Sequence, residues 1–176
     1  EYAKGKTVLN TFSYTGAFSV FAAEKKKKKT TSVDLAKRSL SKTTEQFEIN
    51  GINVEEQDII VMDVFDYFKY AKRKELSFDM VILDPPSFAR SKKYTFSSAK
   101  DYTKLLMDAI AITEKNGVIV ASTNNATFGM KKFKTFVEKA FNESNRKYVI
   151  EDEFSLPSDF RTSPLFKEGN YLKVLF

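Results

Sequence analysis

Apolar and β-branched residues gather in five short runs along the chain: "KTVLN" (6 to 10), "TTSVD" (30 to 34), "DIIVMD" (58 to 63), "FDMVILD" (78 to 84) and "NGVIVAST" (116 to 123). Between them lie segments of helical length and spacing: Thr15 to Lys28, Ala36 to Asn50, Val64 to Lys74 and Ala99 to Lys115. Strand and helix therefore alternate. Four of the five runs are continuous rather than alternating in hydrophobicity, which is how strands covered on both faces read. The predicted fold is α/β, with a mostly parallel sheet and helices on both sides. Right-handed crossovers make this an open, doubly wound sheet. The tail differs. A helix is predicted from Met130 to Ser144, followed by "KYVIEDEFSLP" (147 to 157), a loop and "NYLKVLF" (170 to 176). Two strands with a non-helical connector predict a C-terminal antiparallel hairpin at the sheet edge. No repeat or linker divides the chain, so residues 1–176 read as one domain.

In an open parallel sheet, ligands bind at the C-terminal strand ends, beside the point where the strand order reverses. The second, third and fourth runs end in Asp34, Asp63 and Asp84, and the first ends in Asn10, before "TFSYTGAF". Taken singly, each is equally a residue that favours turns and helix caps. Taken together, they line one edge with polar groups. An acidic residue roughly 20 positions beyond a glycine-containing first turn is the usual partner of ribose hydroxyls. Asp34 follows Gly16 by 18. The loop carries one glycine and no GxGxxG cradle for a pyrophosphate, which points to a nucleoside cofactor without phosphates. S-adenosylmethionine is the commonest of these.

Composition narrows the chemistry further. The chain has neither cysteine nor histidine, so disulfides, thiolate nucleophiles, imidazole bases and the usual zinc ligand sets are excluded, and no metal is expected. The net charge is +6, but Lys25 to Lys29 alone supply five positive charges, so the remainder is close to neutral. Overall charge is thus a weak pointer to nucleic acid. No apolar run approaches the ~20 residues that span a bilayer, and no leader opens the chain, giving a soluble, cytoplasmic expectation without membrane association. The first residue is Glu1 rather than Met, and a fragment of a longer protein is expected.

Six blocks carry a family resemblance: "VLNTFSYTGAFSV" (8 to 20), "TSVDLAKRSL" (31 to 40), "MDVFDYF" (62 to 68), "FDMVILDPPSFARSK" (78 to 92), "GVIVAST" (117 to 123) and "EGNYLKV" (168 to 174). In order and spacing they resemble the class I S-adenosylmethionine-dependent methyltransferases similar to the bacterial 23S ribosomal RNA cytosine-C5 methyltransferases. The resemblance implies a Rossmann-like catalytic domain, S-adenosylmethionine as cofactor, and RNA, ribosomal in that family, as partner. It implies that Asn10 with Phe12, Ser13, Tyr14, Thr15 and Gly16 forms the methionine-binding turn. Asp34 with Leu35 would be the ribose ligand, and Asp63 with Val64 the adenine site. Asp84, Pro85 and Pro86 would sit beside the transferred methyl, and Phe88 near the acceptor base. Complete members carry an N-terminal RNA-binding domain and a linking β domain, both expected to be absent here. Two positions depart from the family: Asn124 stands where the cytosine-C5 enzymes place a cysteine nucleophile, and the lysine run occupies a turn that usually holds glycine and small residues.

The first departure bears on the reaction. Methyl transfer from a sulfonium is an in-line displacement for which the protein mainly supplies orientation and desolvation. A nitrogen or oxygen acceptor needs little more, whereas cytosine C5 needs a thiolate adduct first. Prolines after Asp84 remove amide donors and leave carbonyls to accept from an exocyclic amine; the bland alternative is that they only stop the strand. Phe88 is read either as a stacking surface for an extruded base or as core. Asn124 is read as a holder of a base edge or of the Asp84 loop, or as a turn cap. Arg90, Lys92, Lys93 and Lys100 are candidate phosphate contacts, while the Lys25 to Lys29 run reads as a solvated helix end and Tyr102 as a polar-tipped core residue. Three functions follow: an RNA methyltransferase working without cysteine, a same-fold enzyme acting on a protein or small molecule, and an RNA- or cofactor-binding module without catalysis. The oligomeric state stays open, a homodimer included.

Overall fold

The computed structural model describes residues 2–24, 29–91, 93–163 and 165–176. Lys25 to Lys28 and Lys92, read above as possible phosphate contacts or a helix end, lie outside the described residues. Among these residues seven strands order as β3-β2-β1-β4-β7-β9-β8, with a separate two-stranded pair, β5-β6. The chain divides into two compact units, residues 1–84 with 112–119, and residues 85–111 with 120–176.

The first unit holds β1 (Thr7–Thr11), β2 (Lys29–Asp34), β3 (Asp58–Val61) and β4 (Phe78–Leu83), with α1 (Ala17–Glu24), α2 (Lys37–Ile49) and α3 (Val64–Arg73) as crossovers. β1 pairs in parallel with β2 and with β4, and β2 with β3. The strand order reverses between β1 and β4, the position at which such sheets bind ligands. Val8, Leu9, Val33, Val81 and Leu83 are fully buried, as the continuous runs predict. β2 is buried despite its hydroxyls because they are bonded. Thr30 donates from Nα and Oγ1 to Gln57 Oε1 at 2.9 and 2.6 Å, and Ser32 Oγ meets Ser19 Oγ at 2.7 Å. Asp79 Oδ2 accepts from both Nα and Oγ1 of Thr7 at 2.8 Å, a clamp that sets the β1/β4 register. Along α3 the buried residues Val64, Tyr67, Phe68 and Ala71 form one apolar stripe at helical spacing. Burial, reinforced by the Asp58 charge, pushes the Tyr67 phenol up to about 12.

The second unit holds β5 (Phe88–Arg90), β6 (Thr95–Ser97), α4 (Ser98–Ile110), α5 (Met130–Glu143), β8 (Glu153–Phe154) and β9 (Lys173–Leu175). β7 (Thr113–Thr123) contributes its last four residues to this unit and its earlier ones to the first. β9 is antiparallel both to β7, with Thr123 opposite Lys173, and to β8. The antiparallel edge predicted for the tail is present. Tyr102 is fully buried, its ring edge-on to Phe133 at 4.9 Å and its hydroxyl donating to Ser122 O at 2.6 Å. It is a polar-tipped core residue, as expected.

Three elements differ from the sequence reading. The helix predicted to Lys115 ends at Ile110, and strand begins at Thr113; Ile112 O instead accepts from Phe78 N at 3.0 Å, drawing this segment into β structure. The strand predicted over 147–157 is confined to Glu153–Phe154, because β9 offers only three residues for pairing. The loop after the prolines contains the β5–β6 hairpin, which no period-2 run announces.

Candidate functional site

In the first unit the candidate residues begin with a strained loop. Phe12, Tyr14 and Gly16 have φ of 53°, 49° and 80°, so three of five consecutive residues are left-handed, which for aromatic side chains is a genuine departure. Backbone bonds impose it: Ser13 N donates to Val33 O at 3.1 Å and Gly16 N to Ser13 O at 2.7 Å. Asp34 closes the arrangement, its Oδ2 accepting from Tyr14 N at 2.9 Å and its Oδ1 from Ala36 N at 2.8 Å. Asp34 is thus a loop clamp in addition to any ligand role. Ser13 is buried, Thr15 half-buried, and Tyr14 and Leu35 are exposed at 66% and 52%.

Asn10, only 1% exposed, donates from Nδ2 to Ser19 Oγ at 3.0 Å, while its Oδ1 has no protein partner. The other buried side-chain atom without one among the described residues is Thr43 Oγ1, and Thr43 packs against Gly16. Both orphaned atoms therefore adjoin the same loop. Buried polar groups are nearly always paired, so an orphaned acceptor here marks a place for a polar ligand or water. Asp63 caps α3, accepting at Oδ1 from Phe65 N at 3.0 Å, and Val64 is buried as the first residue of that helix. Asp84 is half-buried and makes no hydrogen bond with the described residues. The end of its strand is fixed by Thr11 Oγ1 donating to Ile82 O at 2.7 Å.

In the second unit the candidate residues begin at Pro85, which is buried, and Pro86, which is exposed. The next residue, Ser87, is held from two sides. Its carbonyl accepts from Ser98 N and Oγ at 3.0 and 3.3 Å, and its hydroxyl donates to Asn124 Oδ1 at 2.7 Å. Asn124 is therefore tied to the residue that follows the two prolines. It does not cap its own turn. That task falls to Asn125, whose Oδ1 accepts from Thr127 N and Oγ1 at 2.8 and 2.7 Å and whose Nδ2 donates to Ser98 Oγ at 2.9 Å. Phe88 is 61% exposed, so it is not core. On β5 it shares a face with Arg90, and across the hairpin with Ser97 and Thr95, while Ala89 and Phe96 point the other way. Sequence reasoning missed Ser87, Asn125 and Lys173. The Asn-x-Thr turn chemistry at Asn125 and a lone cation inside the apolar run "YLKVLF" were the available signals.

Residues 1–163 match the family described as S-adenosylmethionine-dependent methyltransferase. The chain belongs to this family. Among curated proteins it is similar to YwbD of Bacillus subtilis, provisionally named a ribosomal RNA large subunit methyltransferase, with 66% identity over 99% of this chain and 44% of that protein. It is also 33% identical to ribosomal RNA large subunit methyltransferase K of Neisseria meningitidis, over 95% of this chain and 46% of that protein. Among solved structures it resembles SMU.776, provisionally named a methyltransferase and crystallised with SAH, at a TM-score of 0.92 and 50% identity over 98% of this chain and 45% of that one. The chain thus spans less than half the length of these relatives. As a member of the methyltransferase family it has S-adenosylmethionine as its cofactor, and the residues present fit that molecule. Asn10 Oδ1 is a buried acceptor suited to an ammonium, and each Asp34 oxygen, having accepted one backbone N–H, keeps a lone-pair direction for a ribose hydroxyl. No helix among the described residues is long and apolar enough to cross a membrane.

Proposed function

We propose that this chain is the methyl-transferring domain of an enzyme that methylates a base of large-subunit ribosomal RNA, at a nitrogen rather than at cytosine C5. The observation that carries the substrate class is the 66% identity, over nearly the whole chain, with a protein provisionally named a ribosomal RNA large subunit methyltransferase. The absence of cysteine supports the acceptor, since C5 attack needs a thiolate adduct and a nitrogen does not. When bound, S-adenosylmethionine supplies an electrophilic methyl on a sulfonium. The chain's residues then bind and orient. Asn10 and the Phe12 to Gly16 loop would hold the methionine end, Asp34 with Leu35 the ribose, and Asp63 with Val64 the adenine. Asp84 would face the reacting amine, with Pro85 and Pro86 fixing the backbone beyond it and offering no competing N–H. Phe88 would stack the base, and Arg90, Lys93 and Lys100 would meet phosphates. Segments 88–100 contain no acidic residue, which favours that contact. Mapping methyl groups in large-subunit ribosomal RNA from a deletion strain tests the reading: one modified position should be lost, and an unchanged map would refute it.

Two expectations arise from this assignment. Asp34→Ala should weaken S-adenosylmethionine binding by roughly 10- to 150-fold, the effect of about 1.5–3 kcal/mol for bonds to a charged acceptor. Titration calorimetry giving equal affinities would remove Asp34 from the site. RNA containing 5-fluorocytidine should form no covalent complex, because trapping requires the sulfur adduct. A denaturation-resistant protein–RNA band in a gel would show covalent catalysis by another side chain.

A further inference from the structure

Lys173 is 4% exposed, and no carboxylate lies within ion-pair reach of it among the described residues. Burying an ammonium without a counter-charge is costly, and burial lowers the affinity of this amine for its proton. A methionine would fill similar space without that cost. The charge must therefore act through the contacts it makes. Nζ donates to the backbone carbonyl of Asn125 at 2.7 Å and lies over the Phe128 ring, 5.4 Å from its centroid. The reach follows from register: Lys173 opens β9 directly opposite Thr123, the last residue of β7, so its side chain meets the turn that begins one residue later.

That turn has an unusual division of labour. Asn125 is buried, and every polar group it owns is bonded: its N–H to Thr123 Oγ1 at 3.3 Å, its side-chain oxygen to Thr127, its side-chain nitrogen to Ser98, its carbonyl to Lys173. Its neighbour Asn124 is exposed and uses its Oδ1 on Ser87, which turns its Nδ2 donors outward from that bond. A locked residue thus carries a presented one. We propose that Lys173 is a positioning residue that, by holding the Asn125 carbonyl, fixes the side chain of Asn124 for contact with the base to be methylated. This rests on the reading of the chain as an RNA-base methyltransferase.

The test uses the full-length protein with large-subunit ribosomal RNA from the deletion strain and measures kcat, KM for RNA and the S-adenosylmethionine Kd. Lys173→Met should lower kcat on the order of 10- to 100-fold, the scale of a small misplacement of a reacting group, with the cofactor Kd unchanged. Lys173→Arg, which keeps the donor, should restore much of the loss. In an Asn124→Ala background, Lys173→Met should have almost no further effect on kcat, since both changes remove the same contact. Equal losses in the two backgrounds, with Asn124→Ala itself impaired, would overturn the proposal while leaving the base contact intact. A silent Asn124→Ala would instead overturn the base-contact reading and the proposal with it. A readout independent of turnover is the side-chain amide of Asn124 in 15N-labelled protein. Its proton and nitrogen shifts should stand away from random-coil values in wild type and Lys173→Arg and move toward them in Lys173→Met. Identical spectra for a folded Lys173→Met would overturn the proposal even if no RNA substrate were methylated.

Discussion

Replacing Asp84 with alanine is expected to lower kcat for methyl transfer by about 10²- to 10⁴-fold, the range typical of a positioned acid–base group, while S-adenosylmethionine affinity changes little. Several features set this residue apart from the other carboxylates at the strand ends. Asp34 spends an oxygen on each of two backbone amides, and Asp63 caps α3. Asp84 bonds to none of the described residues, although it is half-buried and follows a strand whose last residue, Leu83, is fully buried. A carboxylate kept unpartnered at a fixed strand end is available to an incoming amine. Asp84→Asn preserves size and one acceptor oxygen but not the charge, so it should bind RNA as the wild type does without recovering kcat. If Asp84→Ala instead raised KM for RNA and left kcat near wild type, the carboxylate would belong to binding and not to the transfer step.

The parallel half of the fold was legible because its physics is local and repeated. Val8 and Leu9, Val33, and Val81 to Leu83 are apolar on both faces of their strands, and the structure buries them all. Periodicity was silent where two readings share a pattern. Leu105, Leu106, Ala109 and Ile110 continue smoothly into Ile112 and Thr113, all buried, so spacing alone does not reveal that the helix stops at Ile110, that Ile112 O accepts from Phe78 N and that strand begins at Thr113. The β5–β6 hairpin was illegible for the opposite reason. With three residues a strand and only Ala89 and Phe96 turned inward, it is shorter than any alternation can register, and its cations and serines read as loop.

The candidate site divides in the same way. Asn10, Asp34 and Asp84 stand out as candidates because strand-end position and chemical type coincide, and Gly16 because it is the one glycine of the first turn. What sequence could not settle was which of two adjacent asparagines closes the turn after β7. Either Asn124 or Asn125 suits an Asx turn, and the choice is made by long-range partners: Ser98, 27 positions away from Asn125, and Lys173, 48 positions away. Contacts at such separations leave no local trace. The same holds for Asp34, whose spacing from Gly16 suggested a ribose partner but gave no hint that its carboxylate also holds Tyr14.

Gly16→Ala is expected to destabilise the protein by about 2–5 kcal/mol, combining left-handed strain with overpacking, which for a domain of this size lowers the melting temperature by roughly 5–15 °C. Two independent demands meet at this glycine. Its φ of +80° lies where L side chains are strained, and a Cβ there would stand 2.5 Å from Thr43 Cγ2 and 2.9 Å from Thr43 Oγ1. Threonine is branched at Cβ and has little rotamer freedom on a helix, so α2 would have to yield. Movement of α2 or of the loop would disturb Ser13 O, which accepts from Gly16 N, and with it Tyr14 on Asp34; S-adenosylmethionine affinity should therefore fall together with stability. Pairing the change with Thr43→Ala separates the two demands. The double variant removes the two nearest atoms but leaves Thr43 Cβ, 3.1 Å from the added Cβ, and the backbone strain, so it should regain part of the lost stability and not all of it. Differential scanning calorimetry checks this directly. A Gly16→Ala protein melting with wild type would mean that the loop does not hold the left-handed turn, and the strained geometry would lose its place in the site.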